Sequence, residues 1–152
     1  MLKLKGLDKE IEKYLTELLV SFMIMDQIFS IRNPLGERVY NVSEMVAEGD
    51  IRVNASSFER EREVHKHIGD IILFLEGIYP ELLRHIKLLY GQDLLCDYPR
   101  QGKESYYIAS TFDYEPHQKE AKICYKLSKD FEDYVGCLSE VRKVIDSHGV
   151  RR

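Results

Sequence analysis

The stretch Arg60-Glu-Arg-Glu-Val-His-Lys-His-Ile-Gly-Asp70 carries the densest set of groups able to do chemistry in this chain. Wound as a helix, it places Phe58, Glu61, Arg62, His65, Ile68, Gly69 and Ile72 along one side. That side becomes the core stripe further on, which draws Arg62 and His65 towards the interior or its rim. Glu61 precedes His65 by four residues, close enough to touch. Asp70 lies about 140° round the helix from His65. Burying such groups is costly unless they pair. Two readings follow. In one, Glu61, Arg62, His65, Asp70, Ser105 and Tyr106 surround a pocket where His65 acts as acid, base or ligand. In the other they form a structural polar network, with His65 bonded to a neighbouring carboxylate and Arg62 paired to an acid across the fold.

Other chemistries have weaker signals. The Ser105-Tyr106-Tyr107 group offers a hydroxyl, but a tyrosine more often packs its ring in the core and bonds its hydroxyl at the rim. There is no Gly-x-Ser-x-Gly elbow and no phosphate-cradling glycine loop. Five histidines are present, and Glu63/His67 and Glu81/His85 sit four apart. No Glu-x-x-His motif of the di-iron bundles occurs, so neither a metal nor a cofactor is expected. Lys119, Lys122, Lys126 and Lys129 make a basic stripe, but acids lie close by and no exposed aromatics interleave with it. The chain as a whole has 22 basic against 26 acidic residues, a net charge of -4, and a nucleic-acid partner is not expected.

The elements that must position these groups are helices. With 152 residues, 44% hydrophobic and 32% charged, the chain suits one helical domain, 1–152, with wet outer faces. The periodicity predicts a helix over 8–31, capped by Asp8, and a short one over 42–48, capped by Asn41 with Glu44 and closed by Gly49. Ile51-Arg52-Val53 can pair with Val39-Tyr40 as a small hairpin. A long helix starts at Ser56 or Ser57, with Ser56 and Glu59 as a capping box. Gly77 and Pro80 interrupt it, and a further helix runs over 80–90. A loop is predicted over 92–103 and a short helix over 104–112. The last helix is predicted over 116–147, unbroken and about 45–50 Å long, with Gly136 marking a close helix contact. The fold class expected is all-α, an antiparallel helical bundle of three to four long helices with short capping helices.

Cys96, Cys124 and Cys137 match no zinc or redox spacing and read as free thiols of a reducing, cytoplasmic setting. The chain's opening shows no secretory leader, and the greasiest run, 18–25, falls well short of the ~20 residues a membrane span needs. No membrane association is expected.

The segment from Ser57 to Glu81, with His65-x-x-x-Gly69-Asp70 and Gly77-x-x-Pro80-Glu81, resembles a group of uncharacterised bacterial helical proteins. Gly102-Lys-Glu-Ser-Tyr106 and the last helix extend the likeness from about Tyr14 to Ile145. It implies a bacterial, cytosolic, helical protein and supplies no activity. The expected function is an interaction or binding module that self-associates or takes a protein partner. The alternative is a small enzyme or ligand sensor with a pocket around Arg62, His65, Asp70 and Tyr106.

Overall fold

Short polar side chains decide where four of the helices begin. The Asp8 carboxylate accepts from the Glu10 N–H at 2.8 Å and opens α1, Lys9–Phe22. Asn41 accepts from the Glu44 N–H at 2.9 Å and opens α2, Val42–Glu48. Ser57 accepts from the Arg60 N–H at 3.1 Å and opens α3, Phe58–Ile78. Asp97 accepts from the Arg100 N–H at 3.2 Å and opens α5, Tyr98–Ser110. Each satisfies a backbone donor that the helix geometry leaves without a partner. Between α3 and α5 lie α4, Pro80–Leu89, and a 3₁₀ turn at Gly91–Asp93. The chain ends in α6, Gln118–Lys129, and α7, Phe131–Ser147.

This computed structural model describes residues 8–23, 28–50, 57–89 and 91–148. Among the described residues it is all helical, with seven α-helices and no strand; Arg32 and Arg38 form an isolated antiparallel bridge. No described helix is long and apolar enough to cross a membrane.

The centre of the fold is α3. From Ile68 to Leu75 every residue is buried, whichever way it faces, as expected of a helix enclosed by others. It packs chiefly against α5 and α7, while α6 lies against α5. α1 rests on α3 and α6 through Ile11, Leu15, Leu18 and Phe22. Glycines allow the closest of these approaches. A Cβ on Gly69 would fall 2.7 Å from the Tyr106 ring, one on Gly102 would fall 2.6 Å from the Phe131 ring, and one on Gly77 would collide with Leu138.

Several boundaries differ from the sequence expectation. α1 stops at Phe22, and Ile31 is not helical. Ile28, Phe29 and Ile31 are buried all the same, because the chain turns back on itself there. Val39 N–H bonds the Ile31 carbonyl at 2.9 Å. The Asn33 side chain accepts from Leu35 and Glu37 N–H, and Gly36 takes φ +84° to close the turn. The hairpin partner 51–53 and the Ser56 cap lie outside the described residues. Ser57 caps α3, and the residue three on from it is Arg60, so the Ser/Glu capping box is absent there.

The segment 98–103 is helical, not loop. Pro99 occupies the first turn of α5, where its missing N–H costs nothing, and Asp97 supplies the cap. The last helix is two helices, broken at Asp130 with φ -114° and ψ 34°. Leu127, Phe131, Tyr134 and Leu138 keep spacings of four, three and four across the break, so periodicity is blind to it. The break lets α6 lie on α5 while α7 turns onto α3. Gly136 marks no contact: nothing lies within 4 Å of a Cβ built there.

Candidate functional site

Asp70 is the hub of the polar cluster. It sits on the α3 face turned towards α1 and α5 and is 5% exposed. Its Oδ1 accepts from the Tyr14 hydroxyl of α1 at 2.5 Å and from the Tyr106 hydroxyl of α5 at 2.6 Å. Its Oδ2 is 3.4 Å from Lys66 Nζ, one turn back on α3. Lys66 also lies 5.2 Å above the Tyr14 ring and 3.9 Å from Glu120 of α6. Glu120 in turn accepts from Arg62 at 2.6 Å. Arg62 donates its other edge to Glu59, through Nε at 3.2 Å and a terminal nitrogen at 2.6 Å. Glu59 takes a final bond from His117 Nε2 at 3.0 Å. Unlike charges thus alternate from Asp70 to Glu59, and each buried charge meets an opposite one.

The electrostatics follow from this order. Burial pushes the Tyr14 and Tyr106 phenols well above their usual range, and the neighbouring Asp70 charge pushes the same way. Both therefore stay protonated and donate. The Asp70 charge raises the Lys66 ammonium, outweighing its burial. Cys124, 1% exposed, belongs to the same neighbourhood; burial and then Asp70 push its thiol up to about 12.

His65 lies apart from this chain. Its Nδ1 is 3.1 Å from Ser105 Oγ, which accepts from the Gln101 amide at 2.9 Å. Burial lowers the His65 pKa, with Asp50 pulling it partly back, so the ring favours its neutral form. A base beside a hydroxyl has the outline of an activated nucleophile. Ser105 is nevertheless fully buried, and neither recess described below reaches it.

An open groove of about 420 Å³ runs between α1 and the α3–α6 pair, walled by Tyr14, Leu18, Phe22 and Ile123, with Lys66 and Asp70 on its floor. A shallower recess of about 260 Å³ adjoins it over Arg62, His67 and Glu120. Of the residues expected to ring a pocket, Arg62 and Asp70 reach these recesses. His65, Ser105 and Tyr106 are buried and line neither recess, and Glu61 makes no hydrogen bond to His65 among the described residues. The network expectation is corrected in one detail: among the described residues His65 hydrogen-bonds a hydroxyl, that of Ser105, while the carboxylate of Asp50 acts on it only through its charge. Arg62 does pair across the fold, with Glu120. Tyr14, Lys66, Glu120, Glu59 and His117 were not singled out from sequence. The Lys66/Asp70 spacing of four and a tyrosine inside the α1 core stripe were the available signals.

Among the described residues, no group of three or more His, Cys, Asp or Glu side chains could hold a metal. His67 Nε2 is engaged with the Ile28 carbonyl at 2.8 Å and Ser30 Oγ at 3.2 Å. In the basic stripe, Lys126 pairs with Asp8 at 2.5 Å and Lys119 with Glu10 at 3.6 Å, so half of it anchors α1. The other half, Lys122 and Lys129, flanks Tyr125, which is exposed; an aromatic does therefore interleave with this stripe.

A second candidate surface has no polar chemistry. Leu88 and Leu89 end α4, and Leu94 and Leu95 follow the 3₁₀ turn; they are 81%, 62%, 59% and 100% exposed. The turn beneath them is braced from inside. Asp93, fully buried, accepts from Val42 and Ser43 N–H at 3.0 and 2.9 Å and from the Tyr98 hydroxyl at 2.8 Å. Lys87 Nζ donates to the Cys96 carbonyl at 2.8 Å and lies 5.1 Å over the Tyr98 ring. On α4, Leu83 and Ile86 face the core. Compared with protein-family models, with curated proteins and with solved structures, the chain matches none.

Proposed function

We propose that this chain is a helical interaction module whose docking surface is the leucine corner at the end of α4. In this reading α3, α5, α6 and α7 form an antiparallel bundle of three to four long helices, and the shorter α2 and α4 cap it. The observation that carries the reading is four exposed leucines, two ending α4 and two following the turn that buried Asp93 ties to α2 and Tyr98. Covering a leucine is worth roughly 1.5–3 kcal/mol, and contiguous exposed apolar surface marks a place of contact. The three free thiols suit a reducing, cytoplasmic setting. Native mass spectrometry of the purified chain tests this. A species heavier than the 17.9 kDa chain is expected, and it should be lost in the Leu88→Asp/Leu95→Asp variant. A lone chain under every condition refutes self-association, and a lone chain that also takes no protein partner through these leucines refutes the reading.

A second reading, a ligand sensor or small enzyme, draws support from the groove over Lys66 and Asp70. A thermal-shift screen of metal ions, nucleotides and metabolites addresses it. A compound that stabilises the wild type but not Lys66→Met supports a site there, and no such compound counts against it.

A further inference from the structure

The groove and the shallower recess beside it meet over three side chains, Lys66, Asp70 and Glu120, which line both. Two of the three find close hydrogen bonds within the fold. Asp70 Oδ1 takes both phenols, at 2.5 and 2.6 Å, and Glu120 Oε1 takes Arg62 at 2.6 Å. Lys66 does not. An ammonium has three protons to give. Its closest acceptor among the described residues is Asp70 Oδ2 at 3.4 Å, beyond the roughly 2.7–3.2 Å of an ordinary N–H···O bond. Glu120 Oε2 is 3.9 Å away, and Tyr14 offers only its ring face, 5.2 Å to the centroid. The Lys66 side chain is 26% exposed, so donors the fold leaves unmet open on the groove. The Asp70 charge keeps the group ionised.

The walls suit an apolar body. Tyr14, Leu18 and Phe22 of α1 face Ile123 of α6 across about 420 Å³, inside the roughly 300–1,000 Å³ range of small-molecule sites. On the rim, Lys119 is spent on Glu10 at 3.6 Å. Lys13 is exposed and pairs with no acid among the described residues. Unspent positive charge therefore stands at the floor and at the rim. Negative charge limits what a ligand can bring. Asp70, Glu120 and the exposed Glu17 line the same groove, so a doubly charged phosphate meets more repulsion there than a single carboxylate does. A cationic head would lie against Lys66 itself.

We propose that this groove binds a small monocarboxylic acid with an apolar body. The carboxylate sits on the Lys66 ammonium, the body lies between the α1 wall and Ile123, and Lys13 adds attraction at the rim. This step rests on the ligand-sensor reading above and gives that ligand its chemical class.

An amide-resolved NMR titration of the full chain at pH 7 tests it, with octanoate, octanamide, octylamine and octyl phosphate as probes. The four share one apolar body and differ in charge. Octanoate should shift Leu18, Phe22, Lys66 and Ile123 saturably and bind about tenfold tighter than octanamide. Lys66→Met should erase that advantage, so that acid and amide bind alike. Lys13→Glu, an exposed change, should weaken octanoate and leave octanamide unaffected. If Lys66→Met does not fold, Lys13→Glu decides, and an unchanged octanoate affinity overturns the proposal. Three outcomes overturn the carboxylate assignment and leave a ligand site standing: octanamide binding as tightly as octanoate, octylamine or octyl phosphate binding tighter, or an octanoate preference that survives Lys66→Met. No shift in the groove with any of the four overturns the proposal and the ligand-sensor reading together.

Discussion

Replacing Tyr106 by phenylalanine removes one hydroxyl and almost no volume. The ring remains between Gly69 and Phe131, so packing is preserved. What is lost is a 2.6 Å bond to a carboxylate in a fully buried setting. A hydrogen bond to a charged group contributes about 1.5–3 kcal/mol. In a chain this size each kcal/mol moves the melting temperature by about 2–4 °C, so the expected fall is about 3–12 °C. Tyr14→Phe should cost less, because the groove admits water to the vacated position. Both hydroxyls donate to the same oxygen, Oδ1. When one leaves, the other still covers it; when both leave, only Lys66 remains near the carboxylate. The double variant should therefore cost more than the sum of the singles, by about 0.5–1 kcal/mol. Urea denaturation followed by circular dichroism, with the denaturant slope checked for constancy, measures all three. A Tyr106→Phe cost below about 0.5 kcal/mol, or strict additivity, would refute the idea of a charged Asp70 held by two phenols.

Other expectations are simpler. Asp93→Ala leaves the Val42 and Ser43 N–H groups at the start of α2 and the Tyr98 hydroxyl without their acceptor, while the Asn41 cap stays, and should cost about 3 kcal/mol by the same denaturation assay. Two helical glycines should respond with opposite signs. Gly136→Ala faces open space and should stabilise by about 0.5–1 kcal/mol, while Gly69→Ala strikes the Tyr106 ring and should destabilise by about 1–3 kcal/mol. Acid should weaken the fold through His65 and His67. Burial depresses both from the ordinary 6.5, so the unfolded chain takes up their protons first. Their contribution is complete above pH 6.5 and is lost as pH falls through the folded-state values. His65→Gln should lower stability at neutral pH and flatten this acid slope; an unchanged slope in melting temperature against pH would count against it.

The helical class, the caps at Asp8 and Asn41, and the inward pull on Arg62 and His65 were legible, because they depend on neighbours within a turn or two. What sequence did not show arises from partners far along the chain. Asp70 joins Tyr14 and Tyr106, residues 56 and 36 positions away. Asp93 reads as an ordinary loop acid until α2 is brought to it from 51 positions upstream. The break at Asp130 kept the apolar period intact and so left no trace. Gly136 was favoured over Gly69, Gly77 and Gly102 as a contact point because composition cannot say which glycine faces a neighbour. The exposure of Leu88, Leu89, Leu94 and Leu95 had no counterpart in the sequence pattern, because it depends on where the end of α4 and the following turn lie in the fold.

The setting of Cys124 makes it a built-in clock. Its thiol is sealed beside Asp70 and held to about 12, so at neutral pH it is scarcely ionised and out of reach. Alkylation at this position must wait for the covering structure to lift. When it does, water and reagent meet an ordinary cysteine. Its labelling rate, read by mass against the half-buried Cys96 and Cys137, reports how often the surroundings of Asp70 open without the whole chain unfolding.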